Sequence, residues 1–126
     1  MPRIRTASPH SAALGAAHRP PAPATYVAAG LRLLPAPGHT PGQVAVRIDS
    51  PGSSALITGD PLHHPVQLAR PGIGCTADTD PAMAARTRAA LLASVADTGT
   101  LLLGSQFAHP TGGHVRRDGT AFRLDA

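Results

Sequence analysis

The chain has 126 residues, enough for one small domain and too few for two. Alanine supplies 24 of them while Leu, Ile, Val and Phe together number 25, so the bulky core is thin, and no run approaches the roughly 18 apolar residues that cross a bilayer. The net charge is +4, but the 11 arginines are scattered and only three aromatic residues are present, which argues against a nucleic-acid surface.

Residues 1–25, rich in Pro and Ala with no apolar period, read as a disordered tail, and 26–126 as the ordered part. Short apolar runs punctuated by Gly and Pro then predict strands at Leu31–Pro35, Gln43–Ile48 and Ser54–Thr58. Asp80 followed by Pro81 is a helix start, because the Asp side chain can cap free amides and proline suits the first turn. The helix is predicted to run through residues 82–97, with Ala84, Leu91, Leu92 and Val95 on one side and Gly99 as terminator. Leu101–Leu103 then reads as a buried strand, and residues 113–124 as a hairpin about an Asp118-Gly119 turn. The single cysteine, Cys75, has no internal disulfide partner and no neighbouring base to activate it; it reads as a small loop or buried residue in a reducing, cytoplasmic setting.

Three polar segments follow apolar runs, at 35–43, 56–68 and 101–115. A polar side chain displayed where a buried strand ends is held by a rigid support, which a metal or catalytic site requires. His39 and Asp60 are the leading candidates, although each alone also reads as an ordinary loop or turn residue. A neutral imidazole nitrogen suits zinc, and a carboxylate can join two cations that would otherwise repel. Two such cations make hydroxide available near neutral pH and polarise the oxygen of an ester, lactone or phosphoester. His63 and His64 are candidates to line a substrate pocket or to orient the ligands from behind.

The motifs GHTPG at 38–42, TGD at 58–60, HHPVQL at 63–68, DTDP at 78–81 and LLLGSQF with a later P and GHV, in this order, resemble the metallo-β-lactamase fold hydrolases. The likeness is to the lactonase-like and organophosphate-hydrolase-like branch and covers roughly residues 28–125. It implies an α/β architecture, half of an αββα sandwich with short strands and one main helix. In the intact family two divalent ions, of the zinc type, sit at the edge of the packed sheets and act on small-molecule substrates. His39 is then a metal ligand, and Asp60 a catalytic carboxylate bridging two metals.

The sequence departs from that pattern in two places. The family's HxHxDH motif, which supplies most ligands of both metals, is absent, and His10 and His18 do not reproduce it. Gln106 stands where relatives carry a histidine ligand; His109, three residues on, is the candidate stand-in. The expectation is therefore a C-terminal fragment of a metal-dependent hydrolase, inactive alone, with one sheet face open to a protein partner. The alternative is a noncatalytic complementation or binding module that docks on a chain carrying the missing half. Neither a nucleic acid nor a membrane is expected as a partner.

Overall fold

The computed structural model describes residues 24–126. Most of the expected disordered tail, with His10 and His18, lies outside the described residues. Thr25, assigned to the tail by sequence, instead opens the first strand and pairs with Leu33.

Seven strands form one sheet in chain order: β1 (Thr25–Ala28), β2 (Leu31–Pro35), β3 (Val44–Ser50), β4 (Ser53–Ile57), β5 (Leu101–Leu103), β6 (Gly112–Asp118) and β7 (Ala121–Asp125). All neighbours are antiparallel except β4 and β5, which run parallel with Leu56 opposite Leu102. A parallel pair needs a long crossover, and that crossover carries α1 (Val66–Ala69) and α2 (Pro81–Val95). The result is a mixed α/β domain, one sheet and one main helix, as half of the expected sandwich requires.

Alternation along the strands decides which face is covered. Ala45, Leu56, Leu102, Val115 and Phe122 join Leu91, Leu92 and Val95 of α2 in one buried cluster, to which Leu62 and Leu68 of the crossover add. On the opposite face Val44 and Ile48 of β3 are exposed, and Ile48, Ala55, Leu101 and His114 line an open groove. Among the described residues, no helix is long and apolar enough to cross a membrane.

Asp80 caps α2 as its sequence suggests, its carboxylate accepting from Met83 N at 3.0 Å, with Pro81 in the first turn. The helix stops earlier than expected, at Val95. Asp97 rather than Gly99 makes the first left-handed step (φ 57°), and its N–H turns to the carbonyl of Val115 at 2.9 Å. The β6–β7 turn is likewise displaced by one residue. Asp118 is still paired, with Ala121, so the loop is Gly119 and Thr120 with Gly119 at φ 62°.

Candidate metal centre

The loop after β2 is pinned beside the start of α2 before any metal is considered. Gly38, at φ 134°, lies so close to the helix that a Cβ there would stand 2.3 Å from Ala84 N. Its carbonyl accepts from Asp80 N at 2.8 Å, and the carbonyl of His39 accepts from Thr79 N at 3.0 Å. Thr87 Oγ1 donates to Pro37 O at 2.6 Å. His39 is thus fixed on a rigid support, with its side chain only 14% exposed.

Its imidazole is held from behind. Asp78, whose side chain is wholly buried, places Oδ1 2.9 Å from His39 Nδ1 and accepts from Cys75 N with Oδ2 at 2.9 Å. With Nδ1 engaged by this carboxylate, Nε2 is the ring nitrogen left to face forward. Carboxylate support of this kind orients histidine ligands in metal sites. His39 Nε2 faces Asp60 Oδ2 at 3.5 Å. Two donors each bound about 2.0–2.1 Å from one tetrahedral ion stand roughly 3.3–3.4 Å apart, so this pair has the spacing of two ligands of a single zinc-type ion.

Asp60 follows β4 through Gly59, whose N–H donates to Ser105 Oγ at 3.2 Å, so the β4 and β5 ends are tied together. Gln106 comes with that second loop, and its Nε2 donates to Asp60 Oδ1 at 2.9 Å. The amide therefore occupies one of the two carboxylate oxygens of Asp60. The residues present fit one metal between His39 and Asp60; they do not fit a second at Gln106.

His63 stands beside His39, with ring centroids 5.2 Å apart. Its Nδ1 is buried without a hydrogen-bond partner among the described residues. The backbone N–H groups of His63 and His64 both donate to Gln67 Oε1, at 2.7 and 3.2 Å, while Gln67 Nε2 donates to Ile73 O at 2.8 Å. His64 turns away: its Nδ1 accepts from Val66 N at 3.0 Å, closing the turn that opens α1. His109 is exposed, and the hydrogen bonds and ion pairs of His39 and Asp60 do not include it.

Arg88 underlies the whole loop. Its side chain is completely buried, Nε donating to Pro61 O at 2.8 Å and Nη1 to Pro71 O at 2.6 Å, with Nη2 3.9 Å from Asp78 Oδ2. Burial lowers the pKa of this guanidinium, and the neighbouring Asp78 and Cys75 oppose that shift. One cation thus fastens α2 to the loops on both sides of His63.

Sequence reasoning missed Asp78, Arg88, Gln67 and the nearness of Cys75. For Asp78 a signal existed: in DTDP one carboxylate suffices to cap the helix, leaving the other without a local task. Gln67, Arg88 and Cys75 gave none, since their roles depend on chain segments brought together from a distance.

No family model and no curated protein matches the sequence. In three dimensions the chain has the fold of metallo-β-lactamase superfamily hydrolases. The solved hydrolase AbOPH of the beta lactamase superfamily superposes with TM-score 0.70 at 28% identity, over 75% of this chain and 33% of that one. AidC, a dizinc quorum-quenching lactonase solved with the product N-hexanoyl-L-homoserine, superposes with TM-score 0.74 at 25% identity, over 80% of this chain and 35% of its own. The chain therefore spans about a third of the length of these structures.

Proposed function

We propose that this chain is the part of a metal-dependent hydrolase that contributes His39 and Asp60 to the metal centre, with ester, lactone or phosphoester substrates. The observation that carries this reading is the buried Asp78 carboxylate on His39 Nδ1, which leaves Nε2 directed at Asp60 Oδ2 3.5 Å away. A buried carboxylate needs partners, and its placement behind the ring suits a ligand histidine. The likeness to AidC, a dizinc lactonase, supports the same substrate class and a zinc-type ion.

His39 and Asp60 hold the ion in this reading, Asp78 sets the imidazole tautomer, and Gln106 orients the Asp60 carboxylate through Oδ1. When bound, a divalent ion supplies Lewis-acid polarisation of the scissile group and lowers the pKa of water. The chain's own residues complete only part of a coordination sphere, so a segment bearing HxHxDH, upstream in the same protein or on a separate polypeptide, supplies the rest. The exposed Val44 and Ile48 on the uncovered face of the sheet suit the docking of that segment.

The test is zinc-dependent hydrolysis of an acyl-homoserine lactone and of an aryl phosphotriester, by the chain alone and mixed with a polypeptide carrying HxHxDH and its flanking strands. The expected result is no turnover alone, turnover in the mixture, and loss of that turnover in Asp60→Asn. Full activity in the Asp60→Asn mixture would overturn the reading.

A further inference from the structure

We propose that His39, His63 and Cys75 together bind one thiophilic divalent ion, of the zinc or cobalt class, with the Cys75 thiolate in the ligand set. The inference rests on the metal-binding reading above through His39 alone; its ion is an alternative occupant of that histidine, held without Asp60.

One ligand atom from each of these three half-buried residues lies within 4.8 Å of the other two. Around a tetrahedral ion with metal–sulfur and metal–nitrogen distances of about 2.3 and 2.05 Å, sulfur and nitrogen stand roughly 3.5 Å apart. Donor atoms up to 4.8 Å apart would have to close by up to roughly 1.3 Å, the scale of a side-chain rotation, to complete the site. The three residues come from separate segments, the loop after β2, the turn before α1 and the loop before α2, so chain proximity does not explain their meeting.

Two further observations favour an ion over chance packing. His63 has a buried ring nitrogen with no partner among the described residues, an arrangement that folded proteins avoid unless something else fills it. The surroundings of Cys75 are also ordered around its sulfur. Ala77 N donates to Sγ at 3.4 Å, and the backbone of Cys75 is tied to the same Asp78 carboxylate that orients His39. Asp78 thereby fixes two of the three ligands at once, the second layer that metal sites require. A set of two imidazoles and one thiolate selects zinc-like ions over magnesium or calcium. On binding, the thiol proton passes to solvent and the sulfur donates a lone pair to the ion, with no change of oxidation state.

Cobalt(II), titrated anaerobically into the full chain with a non-thiol reductant, reads this directly. We expect one equivalent to bind and to produce an intense near-ultraviolet sulfur-to-cobalt band together with visible tetrahedral bands. Because the chain has one cysteine, that band can come from no other residue of the molecule. Cys75→Ser should abolish it, and His63→Gln should weaken binding at least about tenfold, the scale on which even supporting residues act. Asp60→Asn should keep it, and circular dichroism of each variant reports that the fold is retained. Cobalt bound without the sulfur band, and lost in Asp60→Asn, would overturn the proposal while leaving the His39–Asp60 hydrolase site standing. A band that needs two chains per ion, or that His63→Gln leaves untouched, would also overturn it. No cobalt binding by the folded chain would overturn the proposal, while the hydrolase reading, which needs the HxHxDH segment to complete its site, is decided by turnover in the mixture.

Discussion

Replacing Arg88 with Met removes the guanidinium while keeping most of its buried stem. Two hydrogen bonds from the charged group, to Pro61 O and Pro71 O, are lost, each worth about 1.5–3 kcal/mol. Asp78 is left buried without its cation, although at 3.9 Å that pair is long and adds less than a close one. Against this, the variant no longer desolvates a guanidinium, whose Nη2 finds no hydrogen-bond partner among the described residues. The net loss comes to roughly 3 kcal/mol, the lower end of what breaking a buried ion pair costs. With a urea slope of about 1.5 kcal/mol/M the unfolding midpoint falls by roughly 2 M. Lys at this position should fall between the two, since one ammonium cannot reach both carbonyls in the forked geometry. Urea unfolding followed by far-ultraviolet circular dichroism measures the change. A midpoint within about 0.5 M of the parent protein would show that Arg88 does not fasten the crossover, and would remove the basis for the loop's rigidity.

Gly38→Ala forces a Cβ onto the backbone of α2 at a left-handed φ and should destabilise the chain by about 1–3 kcal/mol, again read from urea midpoints; an unchanged midpoint refutes the close approach. Asp49 has its pKa lowered, first by the Ser54 hydroxyl donating at 2.7 Å and then by Arg47 and Arg32. Its folded pKa lies below the unfolded one, so its contribution to stability is present above the unfolded pKa and is lost as pH falls through the folded value, below about pH 4. Asp49→Asn should therefore flatten the acid limb of a stability-against-pH curve, and an identical limb would exclude the effect. Gln106→His replaces the amide that holds Asp60 Oδ1 with an imidazole, and calorimetry should find zinc bound about tenfold more tightly, a gain of ~1.4 kcal/mol. Unchanged affinity would mean that the position no longer faces a metal.

The elements that sequence marks most plainly are those whose signals are local. β2 falls on Leu31–Pro35 as predicted, and the Asp80-Pro81 start of α2 is set by one side chain and the amide three residues on. β1 escaped because Thr25–Ala28 is exposed at all four residues and shows no alternation of buried and open positions. α1 escaped because a single turn offers no period to detect. His39 and Asp60 stand out because they lie in loop motifs, and the structure brings them within 3.5 Å of each other. Arg88 was illegible for the opposite reason: an arginine on a helix ordinarily faces water, and only the carbonyls of Pro61 and Pro71, distant in sequence, make a dry position tolerable. Gln106 was legible as a departure, but its hydrogen bond to Asp60 depends on the parallel pairing of β4 with β5.

That parallel pairing also orders events in time. Every other neighbouring pair of strands is antiparallel and follows its partner directly in the chain, so its contacts form after closing only a small loop. β4 and β5 must wait for residues 58–100 to be gathered first, and that stretch contains Asp60, His63, Cys75, Asp78 and Arg88. Non-local pairings of this kind are the slow part of folding. The gathering of this stretch therefore belongs to the slow step, and losses of its contacts should slow folding as well as weaken the native state.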